Sequence, residues 1–159
     1  MRWVGIDYGT KRIGLAISDP SGSIASPLTT VEIQASRSKR RSRSEAGPTG
    51  RSRSETAPTE WARSVLEAVA EFDDVGGFVV GLPLNMDGSE GPQARLTRAF
   101  GHALQTMTPA RVEYWDERLS SAAADDLLSG SELTRAQRKV RHDRLAAQII
   151  LQSYLDAPS

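Results

Sequence analysis

Residues Val4 to Ser18 read VGIDYGTKRIGLAIS, and no other stretch constrains the fold so strongly. An apolar run from Arg2 to Ile6 meets a Tyr8-Gly9-Thr10-Lys11 turn, after which Ile13, Leu15 and Ile17 alternate with small residues. A period of two marks a half-buried strand and glycine beside polar residues marks a turn, so the chain opens as a pair of strands. Asp19-Pro20-Ser21-Gly22 makes a second turn, and Ile24 to Val31 reads as a third strand. Pro27 lies inside it and has no N–H to give to a ladder, which places this strand at a sheet edge or at a bulge.

The period then changes. Trp61, Val65, Ala68, Val69 and Phe72 recur at helical spacing and predict a helix over Thr59 to Phe72, with this stripe in the core. Phe78 to Leu82 reads as a buried strand ending at Pro83, and Leu96, Ala99, Phe100, Ala103, Leu104 and Met107 mark a second helix. Val112 to Trp115 gives a further strand, Ser121 to Leu128 a short helix closed by Gly130, and about His142 to Leu155 a last helix. Three strands followed by alternating helices and strands is an α/β order, hairpins first and crossovers later. The expected architecture is a mixed five-stranded sheet with helices on both faces. A chain of 159 residues supports one domain, residues 1–159, burying roughly two-thirds of the surface its unfolded form exposes.

One segment stands apart. Arg41 to Gly50, RSRSEAGPTG, is followed directly by Arg51 to Glu60, RSRSETAPTE, a ten-residue unit repeated with seven identities. It offers almost nothing to bury, so residues 34–58 are expected to form a disordered, Arg/Ser-rich insert on the surface, tolerated because loop-closure entropy grows slowly with length. Net charge is zero, yet Ser36 to Glu55 holds seven Lys/Arg against two Glu, so attraction to nucleic acid must come from local patches. No apolar run approaches the ~20 residues of a membrane span, Met1-Arg2-Trp3 leads straight into a strand, and there is no cysteine. These features make a soluble cytoplasmic protein the expectation.

The chemistry-bearing candidates are acids at element ends. Asp7 closes the first strand, Asp116 and Glu117 the last, and Asp143 is expected in the first turn of the last helix, on a face shared with Ala147, Ile150 and Tyr154. Strand ends and helix starts face one crevice in an open α/β sheet, so these side chains can converge. Clustered, half-buried carboxylates repel one another, and a divalent cation removes the conflict. Oxygen-only ligands suit Mg²⁺ or Mn²⁺, which activate water and stabilise a leaving oxygen in phosphodiester cleavage. Singly, each acid has a plainer explanation: turn former, strand-end cap, or helix-start charge favoured by the dipole. Arg135, Arg138, Lys139, Arg141 and Arg144, five basic residues in ten positions, surround Asp143, and Lys11 and Arg12 sit in the turn after Asp7. Such a collar attracts a phosphate backbone, though it also fits a solvated helix face. Asp7-Tyr8-Gly9-Thr10 separately resembles the first phosphate loop of the actin, Hsp70 and sugar-kinase superfamily, but one short domain lacks the second loop those proteins need.

Four ordered segments, GIDYGTKRIGLAISD (Gly5 to Asp19), VVGLPLNMDGSEGPQ (Val79 to Gln93), DERLSS (Asp116 to Ser121) and DRLAAQIILQSYLD (Asp143 to Asp156), together resemble the YqgF/RuvX family. That resemblance implies a ribonuclease H-like fold and a nuclease of pre-16S ribosomal RNA, acting at its 5′ end, or alternatively a Holliday junction resolvase on branched DNA. It carries Asp7 over as the first-strand catalytic acid, Glu117 with Asp116 as the acidic pair after the last strand, and Asp143 as the helix acid. Asp7, Glu117 and Asp143 are then the expected metal ligands; Lys11, Arg12, Arg138, Lys139, Arg141 and Arg144 are the expected nucleic-acid contacts. Asn85 and Asp87 are expected to line the same cleft. One departure is plain. Many ribonuclease H-like nucleases keep an acid at the end of the fourth strand, where this chain has Gly81-Leu82-Pro83. The second acid must therefore come from Asp116 or Glu117, which alternation sends to opposite sides. A catalytically idle RNA-binding or ribosome-assembly module is the remaining alternative.

Overall fold

The computed structural model describes residues 1–32, 53–119 and 135–158, and of residues 53–57, 119 and 135–144 the backbone alone. The elements are β1 (Arg2–Tyr8), β2 (Arg12–Ser18), β3 (Ala25–Glu32), α1 (Arg53–Ala68), β4 (Val75–Leu82), α2 (Pro92–Met107), β5 (Arg111–Asp116), a 3₁₀ turn (Glu117–Leu119) and α3 (Arg135–Asp156). The five strands form one sheet in the order β3-β2-β1-β4-β5. β2 pairs antiparallel with β1 and β3, whereas β1, β4 and β5 run parallel, so the sheet is mixed, as the hairpin-then-crossover order requires.

Alternation decides which side chains go to which layer. Val4, Ile6 and Tyr8 of β1, Ile13, Leu15 and Ile17 of β2, and Phe78 and Val80 of β4 point to one face, where Ala62 and Val65 of α1 and Phe100 and Leu104 of α2 cover them. Ala16 of β2 and Val79 of β4 point to the other face, beneath Ala147, Ile150 and Leu151 of α3. Helices therefore cover both faces. Phe78, Phe100, Ile6, Ile13, Leu15 and Leu104 are fully buried, each contributing about 1.5–3 kcal/mol by leaving water.

The second layer is thin because its sheet face carries small residues. A Cβ on Gly5 would lie 2.6 Å from Leu151 Cβ and 2.7 Å from the Ala147 carbonyl oxygen, so the α3 backbone rests almost directly on β1. Trp3, two residues earlier on this face, sets its ring 5.0 Å from that of Tyr154. Helix α3 thus runs antiparallel to β1, its C-terminal end over Trp3 and its earlier turns over the C-terminal end of the strand. Gln152 and Gln148 tie it to β3: the Ala25 N–H donates to Gln152 Oε1 at 2.8 Å, and Gln148 Nε2 donates to the Ala25 carbonyl at 3.1 Å.

β3 is an edge strand, and its register with β2 shifts so that Leu15 faces Thr29 while Ala16 faces Pro27. Leu28 is the extra residue, so Pro27 stands both at an edge and at a bulge. Two helix boundaries differ from expectation. α1 starts at Arg53, inside the second Arg/Ser repeat, and its stripe runs on past Ala68 through a tightened turn closed by Phe72 N–H donating to the Val69 carbonyl at 3.0 Å. α3 starts at Arg135 and not near His142, because Arg, Ala, Gln and Lys are strong helix formers that need no apolar stripe to continue a helix already anchored downstream. Asp143 consequently stands in the third turn, which removes the helix-start explanation for its charge. The expected helix Ser121 to Leu128 and the greater part of the expected 34–58 insert lie outside the described residues. Among the described residues no helix is long and apolar enough to cross a membrane.

Candidate functional site

Asp7 is the penultimate residue of β1. Since Val4, Ile6 and Tyr8 fill the α1/α2 face, alternation sends Asp7, with Gly5 and Trp3, to the α3 face. The strand end beneath it is held firmly. Tyr8 is buried, its ring stacked 4.7 Å from Phe100 and tilted 5.6 Å from Trp61, and burial pushes its phenol pKa well up. Gln93 Nε2 of α2 donates to the Tyr8 carbonyl at 3.1 Å, and the Gly9 N–H donates to the Arg12 carbonyl at 2.9 Å to close the following turn. Asp7 is half-buried and pairs across the ladder with Gly14, which has no side chain to crowd it.

The register of β1 with β4 matches Gly5 to Val79 and Ile6 to Val80. One step further brings Gly81 beside Asp7, about 4.8 Å away across the ladder. Gly81 lies on the α3 face too: a Cβ there would meet Ile150 Cδ1 at 2.5 Å, Glu117 Oε1 at 2.8 Å and Glu117 Cγ at 2.9 Å. The Glu117 carboxylate, swung inward by the 3₁₀ turn after β5, therefore occupies the space above Gly81 that an acid at the end of the fourth strand would fill. Glycine at that strand end is the condition for Glu117 to reach there. Asp7 and Glu117 are brought to one face, with β4 between their two strands.

Asp116 is not brought there. Val112 and Tyr114 belong to the α1/α2 core and Trp115 packs against Tyr154 beneath α3, so Asp116 points away from that helix. Its carboxylate accepts from Arg118 Nη2 at 2.7 Å, from Nε at 3.0 and 3.1 Å, and from the Arg118 N–H at 2.9 Å. These bonds from Arg118 hold its pKa below the usual carboxylate range. Of the two acids, Glu117 is therefore the one turned toward the α3 face, while Asp116 is held by Arg118.

Asn85 and Asp87 lie past the end of β4, in a small hairpin closed by a Leu84–Glu90 bridge. Both are exposed and occupied locally: Asn85 Nδ2 donates to Ser89 Oγ at 3.0 Å, and Asp87 accepts from the Ser89 N–H at 2.9 Å and its hydroxyl at 2.6 Å. Those bonds from Ser89 lower the Asp87 pKa. Arg12 starts β2 on the α3 face, by alternation with Ala16, and Lys11 is exposed in the turn before it. Asp143 is placed by backbone alone. One helical turn before Ala147, about 6 Å, matches the two-residue step of about 6.6 Å from Gly5 to Asp7, so position 143 comes alongside the Asp7 end of β1. The side chains of Asp143, Arg138, Lys139, Arg141 and Arg144 lie outside the described ones.

Among the described side chains no group of three metal-ligating residues forms. The donor set nevertheless suits a hard divalent cation. Asp7 and Glu117 offer carboxylate oxygens alone, and the missing Cβ of Gly81 leaves room for the Glu117 carboxylate. Sequence reasoning missed Gly81, Gln93 and Arg118. A glycine ending a buried strand, and an arginine two residues after the acid it binds, were the available signals.

The chain is similar to known proteins along nearly its whole length. The family described as RuvX, Holliday junction resolvase, matches residues 1–46 and 41–157. A Rhodobacter capsulatus protein is 41% identical over 152 residues, covering 96% of this chain and 81% of its own. A Myxococcus xanthus protein is 41% identical over 157 residues, covering 99% and 89%. Both carry the provisional name pre-16S rRNA nuclease. Thermus thermophilus RuvC, solved in complex with a Holliday junction substrate, superposes with a TM-score of 0.56 at 17% identity over 98% of this chain and 93% of its own. The yeast mitochondrial Holliday junction resolvase gives 0.52 at 9% identity over 96% and 77%. At such identities the structural likeness establishes the ribonuclease H-like fold alone.

Proposed function

The chain belongs to the RuvX family, and from that footing we propose that it is a nuclease hydrolysing phosphodiester bonds in structured nucleic acid, its substrate the 5′ region of precursor 16S ribosomal RNA. The observation that carries the reading is the Glu117 carboxylate lying over Gly81, in the strand paired with that of Asp7 and on the same sheet face. Two carboxylates on either side of β4, on a sheet face roofed by a helix, serve poorly as a core and well as a cation cradle. The names of the relatives support the RNA substrate, and a cytoplasmic location forms part of the same proposal.

In this reading Asp7 and Glu117, with Asp143 from α3, hold Mg²⁺ or Mn²⁺. The cation supplies Lewis-acid stabilisation of charge building on the scissile phosphate and eases deprotonation of water. The rest falls to the chain. Tyr8, Gln93 and the Gly9 turn keep the Asp7 carboxylate in one place. Gly81 of the sheet and Ile150 of the overlying helix bound the space in which the Glu117 carboxylate rests. Arg12 and Lys11, with Arg138, Lys139, Arg141 and Arg144, are assigned to the phosphate backbone, which they orient without reading sequence.

The test is cleavage of a precursor 16S fragment, alongside a four-way DNA junction, with Mg²⁺, with Mn²⁺ and with chelator, for wild type and Asp7→Asn. Cation-dependent cutting of the RNA by wild type and its loss by orders of magnitude in Asp7→Asn, with RNA binding within a few-fold, is expected. Cutting of the junction alone would transfer the activity to branched DNA. Binding without cleavage under either cation would leave an RNA-binding module and end the nuclease reading.

A further inference from the structure

Arg118 makes contacts that the proposed chemistry does not use. Its Nε and Nη2 hold the Asp116 carboxylate from the side, while Nη1 donates to the main-chain carbonyls of Met86 at 3.2 Å and Asn85 at 3.4 Å. One planar guanidinium thus joins the end of β5 to the hairpin that follows β4. The hairpin closes upon itself: the Asn85 N–H donates to the Ser89 carbonyl at 2.9 Å, the Gly88 N–H donates to the Asn85 carbonyl at 2.8 Å, and Gly88 takes the left-handed conformation, φ 88°, that the turn demands. Its residues from Asn85 to Glu90 are exposed, and Met86 at its tip is 97% exposed. Arg118 is the next residue after Glu117, so the same short turn that sends one side chain to the carboxylate site sends the other to the hairpin.

We propose that Arg118, oriented by Asp116, is a positioning residue: it fixes the Asn85–Ser89 hairpin at the mouth of the carboxylate site, so that structured nucleic acid meets Asp7 and Glu117 in one orientation. The proposal rests on the nuclease reading above. Stability does not account for the pair. The Arg118 and Asp116 side chains are 42% and 23% exposed, a setting in which ion pairs contribute little to folding. Geometry accounts for it better. Arginine's fork serves a carboxylate and two carbonyls at once, which the single point charge of lysine does not. The Arg118 charge also offsets those of Asp116 and Asp87, the acids nearest to it on β5 and on the hairpin.

The experiment uses the full chain in three forms, wild type, Arg118→Lys and Arg118→Gln, on the precursor 16S fragment with Mn²⁺. Arg118→Lys keeps the charge and loses the fork, so kcat should fall about tenfold or more while KM stays within about twofold. Arg118→Gln loses both, so KM should rise as well. Amide hydrogen exchange without substrate gives an activity-free readout: exchange at Asn85 to Ser89 should quicken about tenfold in Arg118→Lys while core strands stay protected. Wild-type kcat in Arg118→Lys, or unchanged exchange in the hairpin, overturns the proposal with the nuclease reading intact. A wild-type chain that cleaves nothing removes that reading and the positioning role with it. If Asp116→Asn abolishes Mn²⁺ uptake as completely as Glu117→Gln, Asp116 is a ligand and not the support of Arg118, which also overturns it.

Discussion

Gly81→Ala is the sharpest single test of the site. The added methyl carbon would sit 2.8 Å from Glu117 Oε1 and 2.5 Å from Ile150 Cδ1, where ordinary contacts begin at 3.4 Å, so each neighbour must retreat by roughly 0.6–0.9 Å. Both are far ends of flexible side chains and can move. The stability cost should therefore lie at the low end of overpacking, about 1 kcal/mol, partly offset by the ~0.4–1 kcal/mol gained when a glycine is removed from the unfolded chain. In a domain of this size that amounts to no more than about 2–4 °C in Tm. Activity should respond far more. A carboxylate displaced by most of an ångström loses its place in the reacting geometry, and misplacements of about 1 Å cost up to about 100-fold. Calorimetric melting and single-turnover cleavage of the precursor fragment, on wild type, Gly81→Ala, Glu117→Gln and the double variant, give both quantities. Because the methyl acts through Glu117, the double variant should be no worse than Glu117→Gln alone. Gly81→Ala cleavage within about twofold of wild type would refute the assignment of Glu117. Additive losses in the double variant would show that the methyl acts elsewhere.

Gly5→Ala should behave in the opposite proportion. Its methyl would meet the Ala147 carbonyl at 2.7 Å and Leu151 Cβ at 2.6 Å, atoms of the helix frame that cannot swing aside, so about 1–3 kcal/mol of stability should be lost, measurable by urea unfolding; an unchanged midpoint would contradict the close seating of α3. Asp19 accepts the Ser21 hydroxyl and the N–H groups of Ile24 and Ser23, which draw its pKa down to about 2. A depressed carboxylate stabilises the fold above its unfolded value near 4 and loses that contribution as pH falls towards 2, so the Tm advantage of wild type over Asp19→Asn should be full at pH 6 and vanish by about pH 2; a gap independent of pH would refute the linkage. Mn²⁺ titration by calorimetry should show uptake weakened by Asp7→Asn and by Glu117→Gln and retained by Asp116→Asn, and equal uptake by all four proteins would remove the cation site.

The sequence alone determined the layers. Alternation in Val4 to Ser18 fixed which residues of the hairpin are buried, proline in the third strand narrowed its place to an edge or a bulge, and the switch from period two to period 3.6 fixed the order of helices and strands. Such patterns are local, because burial of one face repeats with the geometry of the element itself. The start of α3 escaped them because Arg135 to Arg141 are good helix formers without an apolar stripe, so propensity and not periodicity carries that segment. The acids were legible as candidates, since carboxylates at strand ends are visible in any linear reading. Which of Asp116 and Glu117 turns inward was not. That depended on a 3₁₀ turn, on Arg118 engaging Asp116, and on an empty Cβ position at Gly81 in a strand 36 residues away. Contacts between residues so far apart are set by the parallel register of β4 with β5 and by the seating of α3, and these exist only once the sheet has closed.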